Sequence, residues 1–188
     1  TALMLAAYGG HTEMVTALLA APSLDVNVAD DDGYTALIRA AVHGHHETVT
    51  ALLAAPSLDV NGGTNGDGYT ALMQAAHGGH TETVIALLAA PGLDVNAADG
   101  VGNTALMEAA VGGQTEVVMA LLAVPGLDVN AANDGGYTAF IMAAFGGRTE
   151  TVTALLAAPG LDVNAAVGDG NTALIWAAYG GHTETVTA

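Results

Sequence analysis

The chain has no cysteine and no lysine, and among its 188 residues it carries two arginines, two phenylalanines and one tryptophan. Without cysteine no disulfide can form, and cysteine usage carries no information on redox compartment. Against Arg39 and Arg148 stand 19 acidic residues, for a formal net charge of -17. Such a field repels nucleic acid and anionic membrane surfaces, since both require cationic side chains to neutralise phosphates. A partner with a basic face suits it better, although the same charge would also keep an alanine-rich rod soluble. Long apolar runs are missing too: Val152 to Pro159 is interrupted by Thr153 and is far too short to span a bilayer. No membrane insertion is expected. No Asn-x-Ser/Thr sequon occurs.

What the chain does have is one unit repeated. A Thr-Ala signature recurs at Thr1, Thr35, Thr70, Thr104, Thr138 and Thr172, at offsets of 34, 35, 34, 34 and 34 residues. A fixed period of this length marks a solenoid rather than a globular enzyme fold. Within the unit GYTALIRAAVHGHHETVTALLAAPSLDVN, read from Gly33, Leu37, Ala40 and Ala41 fall at i, i+3 and i+4 and predict a short helix from Thr35 to Val42. Gly44 ends it. Val49, Leu52 and Leu53 predict a second helix from His46 to Ala55, with Glu47 in its first turn, where a carboxylate suits the helix dipole. Pro56 stops that helix, and Leu58 and Val60 alternate with polar neighbours in an extended arm before a Gly/Asp/Asn turn. The entry to the third unit, Asn61 to Gly68, holds the one extra residue, and its glycine-rich tip is expected to be the most mobile part of the chain.

Helix, glycine turn, helix and extended loop, at this length and composition, resemble the ankyrin repeat over essentially the whole chain. The matching residues are Asp32 and Gly33, Thr35 and Leu37, Ala40 and Ala41, Gly44 and His45, Glu47, Val49, the leucine pair, and Asp59, Val60 and Asn61. The resemblance implies an all-α solenoid of stacked helix-turn-helix units with extended hairpin loops, residues 1–188 forming a single domain of about six repeats with the first and last incomplete. Two departures stand out. The family's usual Thr-Pro-Leu-His opening is Thr-Ala-Leu-Met or Thr-Ala-Leu-Ile here, for example Ala36 and Ile38, so the helix start lacks a preset φ and the histidine's hydrogen bonds. The unit is also one residue longer than the family's usual 33.

Because the frame barely changes, the positions that vary carry the information. One slot before the Ala-Ala pair holds Leu5, Arg39, Gln74, Glu108, Met142 and Trp176; the slot after it holds Tyr8, Val42, His77, Val111, Phe145 and Tyr179. The resemblance implies that these slots, with the hairpin tips, line the concave surface that receives partners. Met142, Phe145, Trp176 and Tyr179 then form an apolar, aromatic patch of the composition favoured at binding hot spots, with Arg39 and Glu108 as further binding candidates. The same residues could instead pack as ordinary core. Tyr34, Tyr69 and Tyr137 read as packing residues where each arm returns to the helices. His11, His45, His80 and His182 recur at the turn, too far apart to share one zinc ion, and read as turn and cap hydrogen-bonding groups. The run Asp30, Asp31, Asp32, Gly33 lacks the alternating acids of an EF-hand loop and reads as solvated loop.

No nucleophile and base occur at a unique spacing, and no glycine-rich phosphate cradle is present. The chain is therefore expected to be no enzyme and to need no metal or cofactor. Two functions remain: a protein-binding scaffold, or a structural protein whose terminal repeats stack head-to-tail on other copies of itself. Leu3 and Val15 at one end and Leu174 and Val186 at the other are the candidate self-assembly faces, because the terminal repeats carry interior residue types rather than polar caps.

Overall fold

Threonine sets the start of every first helix. In the computed structural model, which describes residues 1–21, 23–64 and 67–188, Thr1, Thr35, Thr70, Thr104 and Thr138 are N-caps whose hydroxyls accept from the backbone N–H three residues on, at 3.3 to 3.4 Å. Such a cap satisfies one of the free donors at a helix start. The alanine in place of the proline is buried, as at Ala36. Thr172 is the N-cap of the last unit without that side-chain bond.

Among the described residues twelve helices follow in pairs: α1 (Ala2–Tyr8), α2 (Thr12–Leu19), α3 (Ala36–Val42), α4 (His46–Leu53), α5 (Ala71–His77), α6 (Thr81–Leu88), α7 (Ala105–Gly112), α8 (Thr115–Leu122), α9 (Ala139–Phe145), α10 (Thr149–Leu156), α11 (Ala173–Tyr179) and α12 (Thr183–Thr187). Each odd-numbered helix packs on the next odd one and each even on the next even, giving two helix layers with the core between them. The all-α solenoid that the resemblance implies is what forms. The second helices end two residues earlier than the apolar stripe predicts, at Leu53 rather than Ala55. Isolated antiparallel bridges, Gly63 to Thr70, Ala98 to Thr104, Ala132 to Thr138 and Ala166 to Thr172, close the hairpins. The expectation about the tip of the Asn61 to Gly68 loop falls on Asn65 and Gly66, which lie outside the described residues.

Three sets of hydrogen bonds cross the junctions between units, the third at three of the five. At the inter-helix turn, His45 Nε2 donates to the Tyr8 carbonyl of the preceding unit at 3.1 Å, His80 to that of Val42 at 3.1 Å and His182 to that of Phe145 at 3.0 Å. Gln114 and Arg148 occupy the same slot and make the same kind of bond, to His77 and Val111. The ring of His80 lies over Gly44, where φ is +68° and an added Cβ would meet the imidazole at 2.6 Å, so glycine is required there for both conformation and space. In the outer loop, Asn96 Nδ2 donates to Gly126 O and Asn96 Oδ1 accepts from Asp128 N, both at 2.8 Å, and Asn27, Asn61 and Asn130 repeat the pattern. Between second helices, hydroxyls meet as Thr12 with Thr48 at 2.8 Å, Thr115 with Thr151 at 2.9 Å and Thr149 with Thr185 at 2.8 Å.

The stack has a direction, which corrects the expected end faces. Leu3 and Val15 are 2% and 0% exposed because their slots point toward the following unit and the second repeat covers them. The equivalent Leu174 and Val186 are 59% and 40% exposed, since no unit follows them within these residues. The opposite face is carried by the slot of Met14, which is exposed, whereas Thr48, Thr83, Val117 and Thr151 in that slot are buried. Leu3 and Val15 are core residues, not an assembly surface.

One threonine breaks the hydroxyl pattern. Thr83 Oγ1 is buried with no partner, because the slot that supplies a threonine elsewhere holds His46. An unsatisfied buried hydroxyl costs about 1–3 kcal/mol, and the fourth repeat already accommodates Val117 in the same place. Thr83→Val should therefore raise unfolding stability by about 1 kcal/mol, and Thr48→Val, which removes a made bond, should lower it by about 1 kcal/mol. Urea denaturation of the two variants checks the opposite signs.

Candidate binding surface

The two variable slots lie on the first helices, and their occupants divide into three stretches along the array. In the second repeat the slots hold Arg39 and Val42. Arg39 Nη2 donates to Asp30 Oδ2 at 2.6 Å, and its guanidinium carbon lies 4.2 Å from the Tyr34 ring centroid. The hydrogen bond from Arg39 holds the Asp30 carboxyl below its usual range, against the opposing effect of desolvation. In the centre, Glu108 Oε2 lies 2.9 Å from His77 Nδ1, with most of the Glu108 side chain covered. Tyr69, nearby, has its hydroxyl pKa pushed up by burial and then by the charges of Glu108, Asp99 and Asp67. Arg39 and Glu108 are thus each engaged by a residue of this chain, and the structure does not bring them to the aromatic patch.

Toward the C-terminal end the patch does assemble. The Phe145 and Trp176 ring centroids are 5.2 Å apart at an interplanar angle of 88°, and those of Trp176 and Tyr179 are 6.0 Å apart at 89°. Edge-to-face arrangements of this kind are the favourable ones for aromatic pairs. Tyr137 joins from the hairpin side, 6.3 Å from Trp176. Phe145 is 53% and Tyr179 81% exposed, while Met142 and Trp176 are half-buried against the core. Sequence reasoning placed Tyr137 among the packing residues. The signal that it also serves the patch was available, since Tyr137 comes just before the cap Thr138 and so stands beside the first-helix slots.

Negative charge lies elsewhere on the frame. Six glutamates sit in the first turns of the second helices, five aspartates in the Asp-Val-Asn loops, and seven in the hairpins. Glu108 alone occupies an inner-helix slot. Where α9 and α10 meet α11 and α12, an open groove of about 260 Å³ is lined by Phe140, Val152, Leu156, Leu174 and Val186 among others. Among the described residues no group of three His, Asp or Glu is disposed to hold a metal ion, and no helix is long and apolar enough to cross a membrane.

A family profile described as ankyrin repeats (3 copies) matches residues 1–62, 57–133 and 120–188. Among solved structures the chain is similar to EF0377, an ankyrin repeat protein, with 29% identity, a TM-score of 0.89, and 99% of this chain covering 94% of that one. It is also similar to an ankyrin repeat domain, ABAYE2397, from Acinetobacter baumannii AYE, with 29% identity, a TM-score of 0.86, and 98% of this chain covering 94% of that one. No curated protein matches. The chain belongs to the ankyrin repeat family. Ankyrin repeats are generally protein-interaction modules, and their fold is a known non-enzymatic scaffold.

Trp176 bears on why the patch exists. Its indole Nε1 is buried and meets no acceptor, an arrangement that costs about 1–3 kcal/mol and that Met142, in the same slot one repeat earlier, avoids. Trp176→Met is expected to leave the midpoint of chemical unfolding unchanged or raised. A fall in unfolding free energy of about 3 kcal/mol or more, the range for truncating a large buried aromatic, would mark Trp176 as a packing residue instead.

Proposed function

We propose that residues 1–188 act as one non-catalytic protein-binding domain, receiving a partner on the inner face where Met142, Phe145, Trp176 and Tyr179 stand together. The observation that carries this reading is the exposure of Phe145 and Tyr179 around Trp176 on a frame with few other aromatic residues. Large exposed aromatics gathered in one patch are the side chains that dominate binding energy. The hairpin tips border the same surface, and the charge of -17 favours a partner with a basic face over nucleic acid.

The test is affinity against a partner selected from a displayed protein library. Phe145→Ala and Trp176→Ala should each weaken binding by a factor of roughly 30 or more, the loss of a hot-spot truncation. Tyr8→Ala, at the far end of the same face, should leave affinity unchanged. Selected binders indifferent to both patch variants would remove the patch from the interface.

A second reading has one observation in its favour. Leu174, Ile175 and Val186 are exposed beside an apolar groove, and Met14 and Leu5 are exposed at the other end. Head-to-tail stacking of copies would cover both faces as a heterologous contact that propagates into a rod. Light scattering at rising concentration should then show growing mass that Leu174→Glu abolishes. Monomers at every concentration would sink this reading and leave the first untouched.

A further inference from the structure

The chain contains its own example of how a guanidinium is held beside the hairpins. Arg39 stacks on Tyr34 at 4.2 Å and bonds Asp30 at 2.6 Å, while the Tyr34 backbone N–H donates to the other oxygen of the same carboxylate at 2.9 Å. The positions recur with the period. In the fifth repeat the tyrosine is Tyr137, and its backbone N–H donates to Asn133 Oδ1 at 3.0 Å, so the turn is built the same way. The slot of Arg39 holds Met142 there. The next repeat adds Trp176 at 6.3 Å from the Tyr137 ring, with Phe145 and Tyr179 standing perpendicular to the indole.

The result is a larger aromatic platform without a cation of its own, and the chain has none to lend. It has no lysine. Arg39 is paired with Asp30, and Arg148 lies at the inter-helix turn with Nε on the Val111 carbonyl at 3.3 Å. The acids nearest in sequence to Tyr137 and to the last cap, Asp134 and Asp169, sit on the flanking hairpins, and the whole chain is at -17. Aromatic faces attract cations, tryptophan most strongly. The planar, weakly hydrated guanidinium stacks on aromatic faces, a contact that a compact, tightly hydrated lysine ammonium makes less readily.

We propose that Tyr137, Phe145, Trp176 and Tyr179 form an arginine subsite, which seats the guanidinium of an arginine side chain from a partner protein. The inference rests on the protein-binding reading and adds the chemistry of the contact. The hairpin carboxylates attract the cationic segment over a distance and in a salt-dependent way. The rings then distinguish arginine from lysine at contact.

Trp176 is the one tryptophan of the chain, so its fluorescence reports on this site alone. The experiment titrates the intact protein with hexa-arginine and, separately, with hexa-lysine, at low salt and at half-molar salt, following Trp176 emission. Hexa-arginine should change the emission and bind roughly 5-fold or more tightly than hexa-lysine, within the range of a partly desolvated cation–π contact, and the advantage should survive added salt. Phe145→Ala and Tyr179→Ala, whose side chains are largely exposed, should bring hexa-arginine down to the affinity of hexa-lysine, with far-UV circular dichroism checking that both variants fold. Equal affinities for the two peptides, or an emission that neither alters, would overturn the arginine subsite. If library-selected partners still lost affinity on Trp176→Ala, the protein-binding reading would stand without it; if they did not, both would fall.

Discussion

Everything in this structure depends on each repeat covering the forward-pointing apolar side chains of the one before it. Leu37 and Val49 are buried because the third repeat lies on them, as Leu3 and Val15 are by the second. No unit completes its own core, so stability belongs to the junctions and is approximately a sum over neighbours. The turn histidines, the loop asparagines and the paired threonine hydroxyls all cross those same junctions. Burial supplies the attraction, and the polar ladders fix its register, because a slip would leave buried donors and acceptors unpaired.

That constraint explains why so little of the unit is free to vary. A slot facing both its own repeat and the next must suit two environments, which leaves alanine, aliphatic side chains, methionine, threonine and one phenylalanine in the layers and glycine at the turn, where His80 lies over Gly44. The inner slots escape because they meet neighbours on one side and solvent on the other. Here the repeats diverge: an ion pair stacked on tyrosine at Arg39, a His77–Glu108 contact in the centre, and aromatics from Phe145 onward. Where each turn of a solenoid is otherwise the same, specificity can only come from such departures.

The period, the helix pairs and the two variable slots were legible from residues alone, since equivalence along a repeat is a property of spacing. Direction was not. Leu3 and Leu174 look alike in a sequence, and only the stack shows that one faces a neighbour and the other faces outward. The pairing of Arg39 with Asp30, nine residues back across a hairpin, and of Glu108 with His77, 31 residues back on another helix, was hidden for a related reason. A period says which residues correspond, but not which of them reach across the junction. The threonine caps were legible in kind yet their sufficiency was not, because whether a helix needs proline at its first position depends on what else holds its free N–H groups.

The charge of -17 has two readings, solubility and partner choice, and the local geometry favours a third origin for most of it. Asp25, Asp59, Asp94, Asp128 and Asp162 each accept, through Oδ1, the backbone N–H two residues on. Asp30 and Asp99 do the same in the hairpins, and the glutamates stand at the positive ends of the second helices. Each of these acids serves its own turn or helix, and repetition multiplies them. A partner nevertheless meets the sum, since no lysine offsets it. A field made by a uniform frame can draw cations to the whole length of the array without distinguishing one place from another. Selection among cationic partners must therefore come from what is not repeated, and among the described residues the largest such feature is the ring cluster around Trp176.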